Sequence, residues 1–140
     1  MMPQLLQLNY FLKDFKLKKS IFITGAASGI GRATAILFAN KGWNVGLFDI
    51  NEEGLESVAK EIGHNACMYQ KLDVTKIDEW QSAKKNFSDF TGGTCDLFFN
   101  NAGIANFAGK FEDIPLEEMN KIIDVNFKGV VNGCLTMLDL

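Results

Sequence analysis

The chain has 140 residues, 47% hydrophobic and 22% charged, and 14 Lys plus Arg against 17 Asp plus Glu leave a net charge of −3. That length accommodates one compact unit and no second full domain, and the composition excludes disorder over most of the chain. A mildly acidic balance gives no electrostatic footprint for nucleic acid, and no run reaches the roughly 18 apolar residues of a membrane span.

Residues 1–19 read as an N-terminal extension. Leu5, Leu8, Leu12 and Phe15 fall at helical spacing, and Lys13, Lys16, Lys18 and Lys19 cluster toward the end. A secretory leader places its positive charge before the apolar stretch, the reverse of this order. A frayed extension is the expectation, ahead of a short amphipathic helix docked on the body or a partner.

From residue 20 the pattern is regular. Ser20 to Thr24 is a short apolar run ending in glycine, predicting a buried strand. Ile30, Ala33, Leu37 and Phe38 then repeat at helical spacing, and Gly42 ends the helix. Val45, Leu47 and Phe48 form a second strand. Asn51 can cap the next helix, with Glu52 and Glu53 at its positive end, Leu55, Val58, Ala59 and Ile62 facing inward, and Gly63 as its stop. Ala66 to Leu72 is a third strand. Thr75 and Asp78 have capping-box spacing before a helix whose inner face is Ile77, Trp80, Ala83, Phe87 and Phe90. Cys95 to Phe99 is a fourth strand, and Pro115 starts a last long helix. Four alternations of strand and helix predict an α/β fold: a doubly wound parallel sheet with helices on both faces.

The first strand runs into Thr24-Gly25-Ala26-Ala27-Ser28-Gly29-Ile30-Gly31 and then a helix. Side chains would keep a phosphate from the backbone; glycines remove that block, and the amides of a helix N-terminus face the anion. Gly25, Ser28, Gly29, Ile30 and Gly31 are therefore candidate pyrophosphate-binding residues, in the strand–turn–helix context the fingerprint requires. No Gly-Lys-Ser/Thr follows, which excludes a P-loop. Arg32 either adds charge at the loop or faces solvent. Asp49 closes the second strand, 18 residues after Gly31. A carboxylate there accepts from both ribose hydroxyls and repels a 2′-phosphate, so NAD is expected in preference to NADP; the alternative is a helix-capping aspartate.

The three cysteines, Cys67, Cys95 and Cys134, lack metal-ligand spacing, and an odd number cannot all pair. They read as reduced core thiols of a cytoplasmic protein, with no metal site. His64, the one histidine, reads as solvated or structural.

Thr24-Gly25-x-x-x-Gly29-x-Gly31, Asp73-Val74, Asn100-Asn101-Ala102-Gly103 and Asn126 follow the order and spacing of a known family. From about Ser20 to Leu140 the chain resembles the short-chain dehydrogenases/reductases. The resemblance implies a Rossmann-type NAD(P)-binding domain over residues 20–140. It implies that Asp73 and the Val74 backbone hold the adenine, that Asn101, Ala102 and Gly103 line the cofactor cleft, and that Asn100 ties the central strands together. Asp73 and Asn100 also fit plain turn-capping roles. Asn126 falls on an apolar stripe of the last helix, with Met119, Ile123, Val130 and Cys134, where a polar group must find partners. The family places this Asn in its catalytic tetrad, positioning a water for proton relay; an Asn bonding neighbouring backbone fits the same pattern.

The family's chemistry also uses a Ser and a Tyr-x-x-x-Lys. Here Tyr10 and Tyr69 are the only tyrosines, and Asp14 and Asp73 stand four residues on. Asn126 is thus the one tetrad member present. The expectation is a fold truncated after about four strands, with strand four an open apolar edge and poor solubility or weak NAD binding. By resemblance the function is NAD-dependent oxidation of a small-molecule alcohol or reduction of a ketone, with homo-oligomers among full-length relatives. The alternatives are a nucleotide-binding module without chemistry or an inactive truncated gene product. A methyltransferase ranks far below, since its loop lacks this glycine spacing and it has no use for Asn-Asn-Ala-Gly.

Overall fold

The computed structural model describes residues 18–105 and 109–140, so the expectation for residues 1–17 lies outside it. Four strands, β1 (Ser20–Thr24), β2 (Asn44–Asp49), β3 (Cys67–Lys71) and β4 (Leu97–Phe99), form one sheet in the order β3-β2-β1-β4. All three pairings are parallel, with Phe22 opposite both Gly46 and Phe98. The helices are α1 (Gly29–Asn40), α2 (Glu52–Ile62), α3 (Ile77–Thr91), α4 (Leu116–Ile123) and α5 (Gly129–Met137). A five-residue π-helical turn, Asp124–Lys128, joins α4 to α5.

Every residue of β1 is buried, because the sheet carries a separate core on each face. On one face Ile21, Ile23, Val45 and Leu47 meet Ala35 of α1 and Leu55, Val58 and Ala59 of α2. On the other, Phe22 and Phe48 meet Trp80, Ala83 and Phe87 of α3 and Met137 of α5. Phe22 and Phe48 stack with ring centroids 3.8 Å apart, and the Phe87 edge approaches Phe22 at 5.1 Å. Gly46 makes room for that ring: a Cβ there would lie 2.5 Å from Phe87 Cδ2.

The turns mostly follow the expected chemistry. Asn51 Oδ1 accepts from Gly54 N at 3.1 Å and caps α2, and Gly63 stops it at φ +93°. The Thr75–Asp78 capping box does not form. Instead Thr75 donates to Asp73 Oδ1 through both N and Oγ1, at 3.0 and 2.7 Å, so Asp73 closes the turn before α3. Strand four begins at Leu97 and not at Cys95.

Three helix faces differ from their patterns. In α1 the inward residues are Gly31 and Ala35, whereas Ile30 and Leu37 are 71% and 52% exposed. Apolar residues are spread widely around this helix, with Arg32 its one charge, so periodicity could not choose a face. Ile77, placed on the inner face of α3, is exposed at its first turn. On the last helix the buried residues are Gly129, Gly133, Thr136 and Met137, while Ile123 and Cys134 of the expected stripe are exposed. Small residues are what allow α5 to approach: a Cβ on Gly133 would lie 2.7 Å from Trp80 Cη2. Cys134 is therefore no core thiol, and Cys95 is only half-buried; Cys67 alone is buried, and burial pushes its thiol pKa up.

Candidate functional site

A cleft of about 700 Å³ opens at the carboxyl ends of the strands, between the β1–α1 turn and the β4 exit. The strand order reverses there, on either side of β1, which is where open parallel sheets bind ligands. Gly25, Ser28, Gly29, Ile30, Asp49, Asp73, Val74, Asn101, Ala102 and Gly103 all line it. Ile104, Lys121, Asp124 and Val125, which sequence reasoning did not single out, also line it. Ile30 is exposed because it faces this cleft.

The glycines of the loop do three different jobs. Gly25 has φ +67°, and a Cβ there would lie 2.9 Å from Asn101 Nδ2 and 3.0 Å from Ala102 Cα. Gly29 has φ +51° with nothing within 4 Å of its Cβ position, so the backbone lies open to the cleft. Gly31 lies behind the loop, away from the cleft lining, and a Cβ would lie 2.1 Å from Gly25 O. It permits the loop by close packing and does not itself face a ligand. Arg32 turns away and pairs with Glu61 of α2, so it is a surface ion pair.

Asp49 is half-buried at the end of β2, its Oδ2 accepting from Ala27 N at 3.1 Å and its Oδ1 from Asn51 N at 3.0 Å. These bonds fix the carboxylate between the glycine loop and the α2 N-terminus, and each oxygen retains a lone pair. The capping and ligand readings of Asp49 are therefore compatible, since one carboxylate has capacity for both.

Thr24 is fully buried and its Oγ1 accepts from Asn101 N and Ala102 N, both at 2.9 Å. Asn101 Nδ2 donates back to Thr24 O at 3.0 Å. Asn101, and not Asn100, is thus the side chain that ties the central strands together. Asn100 donates to Val130 O at 2.9 Å and anchors β4 to α5. No pattern in the sequence separates the two neighbours; only which face of the chain each takes decides.

The other wall is the α4–π–α5 segment. Asn126 sits in the π turn and is exposed, off the packed face and outside the cleft lining, next to Asp124 and Val125, which do line it. Its Oδ1 accepts from Ile104 N and its Nδ2 donates to Ile104 O, each at 2.8 Å. It thus bonds neighbouring backbone and clamps the loop after Gly103. A π turn widens the helix at one point and recurs at functional sites.

At the adenine-candidate end, Asp73 N donates to Glu79 Oε2 at 2.7 Å. Val74 O accepts from Trp80 Nε1 at 2.9 Å and from Asn132 Nδ2 at 3.1 Å. Among the described residues, Val74 N and Asp73 Oδ2 have no protein partner. Nor is there any group of three or more His, Cys, Asp or Glu placed to hold a metal among them. No helix of the described residues is long and apolar enough to cross a membrane.

A parallel sheet of this order, with a glycine turn at its switch point, defines a Rossmann-type nucleotide-binding fold. The short chain dehydrogenase family profile matches residues 19–140, and the chain belongs to that family of oxidoreductases. It is 40% identical over 117 residues to the probable oxidoreductase EphD of Mycobacterium tuberculosis, covering 81% of this chain and 19% of that protein. Short-chain dehydrogenase reductase 3c of Arabidopsis thaliana is 38% identical over 111 residues, covering 79% of this chain and 43% of that protein. Among solved structures, the 3-ketoacyl-(acyl-carrier-protein) reductase of Brucella melitensis, complexed with NADH, superposes with a TM-score of 0.82 at 33% identity. That match covers 88% of this chain and 50% of the reductase. The chain thus spans half or less of the length of these relatives.

Proposed function

We propose that the chain is the NAD-binding half, residues 20–140, of a short-chain alcohol dehydrogenase or ketone reductase, with NAD preferred over NADP. The observation that carries the preference is Asp49: a carboxylate fixed by two amides at the edge of the cleft, with no Arg in the loop and Arg32 engaged elsewhere. A ribose diol can donate to it, whereas a 2′-phosphate would meet a like charge. The residues fit such a cofactor. Gly29 leaves bare backbone toward the cleft, Gly25 and Gly31 let the loop close on Asn101 and on itself where any Cβ would clash, and Asp73 Oδ2 with Val74 N offer an acceptor and a donor.

When bound, the nicotinamide supplies or takes the hydride exchanged with a substrate carbon. In this reading the amides at the start of α1 hold the pyrophosphate, with Ser28 and Ile30 beside it. Asp49 orients the ribose, and Asn101, Ala102 and Gly103 form the floor. Asn126 holds the Gly103–Ile104 loop against that floor, and its family role in proton relay would be exercised from this position. The 140 residues contain no Tyr-x-x-x-Lys, so they hold no acid/base of the family type. For the chain by itself the function proposed is nucleotide binding without turnover, in the cytoplasm, and for the whole enzyme an oligomer acting on a small molecule.

The test is a fluorescence titration with NADH and NADPH. NADH is expected to bind at least ten-fold more tightly. Asp49→Asn should weaken NADH by about ten-fold or more, as expected for hydrogen bonds to a charged group, and narrow the gap to NADPH. Equal affinities in the unaltered chain would contradict the NAD preference.

A further inference from the structure

We infer that Asn132 is a positioning residue for the adenine end of the cleft, acting through the Val74 carbonyl; this rests on the nucleotide reading above. Asn132 lies on α5, 58 residues from Val74 in sequence, and is half-buried. A polar side chain at a helix contact costs stability unless it is hydrogen-bonded. Its Nδ2 spends that bond on Val74 O at 3.1 Å, and Trp80 Nε1 fills the same carbonyl from α3 at 2.9 Å. One carbonyl is thereby held from two helices. Gly129 packs on the Val74 side chain, where a Cβ would lie 2.6 Å from Cγ2.

The consequence falls on the two groups left over. Asp73 N is taken by Glu79, and Asp73 Oδ1 by Thr75. What remains without a protein partner, on two residues that line the cleft, is an acceptor, Asp73 Oδ2, and a donor, Val74 N–H. Adenine presents the complementary pair, an exocyclic amino donor beside a ring-nitrogen acceptor. Hypoxanthine reverses both, offering an oxo acceptor beside a ring N–H donor. Discrimination between the two bases therefore depends on how firmly the Asp73–Val74–Thr75 turn is held. Asn132 is its anchor on the helix that also bears the Asn126 turn.

The experiment measures the affinities of NADH and of reduced nicotinamide hypoxanthine dinucleotide for the unaltered chain, Asn132→Leu and Asn132→Ala. Leucine keeps the side-chain size and alanine raises helix propensity, so at least one variant is expected to fold. Val58→Ala, in the core on the other face of the sheet, serves as a purely destabilising control. In the Asn132 variants NADH is expected to weaken about three- to ten-fold, and its advantage over the hypoxanthine analogue to shrink by a similar factor. Val58→Ala should lower the melting temperature and leave the ratio unchanged. Binding by the unaltered chain with an unchanged ratio in both Asn132 variants overturns the inference alone. So does a ratio that falls equally in Val58→Ala. No saturable NADH binding by the unaltered chain overturns the nucleotide reading and this inference with it.

Discussion

The two walls of the cleft are built differently. The β1–loop–α1 wall rests on the buried body of the sheet: β1 is buried throughout, and Gly25 and Gly31 close the loop on itself and on Asn101. The α4–π–α5 wall is supported on one side. It packs through Gly129, Gly133, Thr136 and Met137, while Ile123, Phe127, Val131 and Leu135, each four residues apart, are 46%, 66%, 40% and 65% exposed. Apolar residues in such a row form a continuous stripe along the helix, and contiguous exposed stripes mark contact surfaces. The phosphate-binding half of the cleft is thus self-contained. The half that bears Asn126 carries an uncovered apolar outer face.

That contrast ranks the expected effects of substitution. Gly31→Val should be the most damaging: its Cβ has no space 2.1 Å from Gly25 O, so the loop must move. We expect about 3 kcal/mol lost in a urea melt, the upper end for overpacking, together with loss of NADH binding. A variant that keeps both would show the first wall to be more pliable than described. Asn126→Ala removes two hydrogen bonds between the π turn and Ile104. It should cost about 1–2 kcal/mol and speed amide exchange at Ile104 with little change at Gly29. Equal changes at both amides would mean that the walls are coupled and not separate. Leu135→Glu should leave the folding free energy within about 0.5 kcal/mol. Its effect should appear in sedimentation, as less self-association; an unchanged sedimentation coefficient in a chain that does associate would place the contact elsewhere.

The same contrast decided how much could be read from sequence. The first wall was legible because its constraints are local. An apolar run ending in Thr24, three glycines at fixed spacing and an acid at the end of β2 specify strand, turn and partner with little help from elsewhere. Even there, the face of α1 was misassigned, since Ile30 and Leu37 are as apolar as Ala35 and only the close approach at Gly31 selects the inner side. The second wall was less legible because it is set by contacts between distant segments. Met119, Ile123, Val130 and Cys134 have helical spacing, yet the packed face runs through Gly129 and Gly133, whose signal is the absence of a side chain. A π turn has no composition signature, so the placement of Asn126 did not follow from a regular helical count. Thr75 and Asp78 matched a capping box, but Asp73, two residues before Thr75, competes for the same hydroxyl and wins with two bonds. Asn101 takes the strand-tying bond expected of Asn100 and keeps its place in the cleft lining, while Asn100 turns to α5, because adjacent residues on a strand exit point to opposite sides.

The most direct test of the central claim, that this cleft is a nucleotide site, is amide chemical-shift mapping of the labelled chain titrated with NADH. Saturable shifts are predicted at Gly25 to Ile30, at Asp49 and Ile50, at Asp73 to Thr75 and at Asn101 to Ile104, with little change along the outer residues of α2. Shifts confined to the exposed face of α5, or no saturable shifts at all, would contradict it.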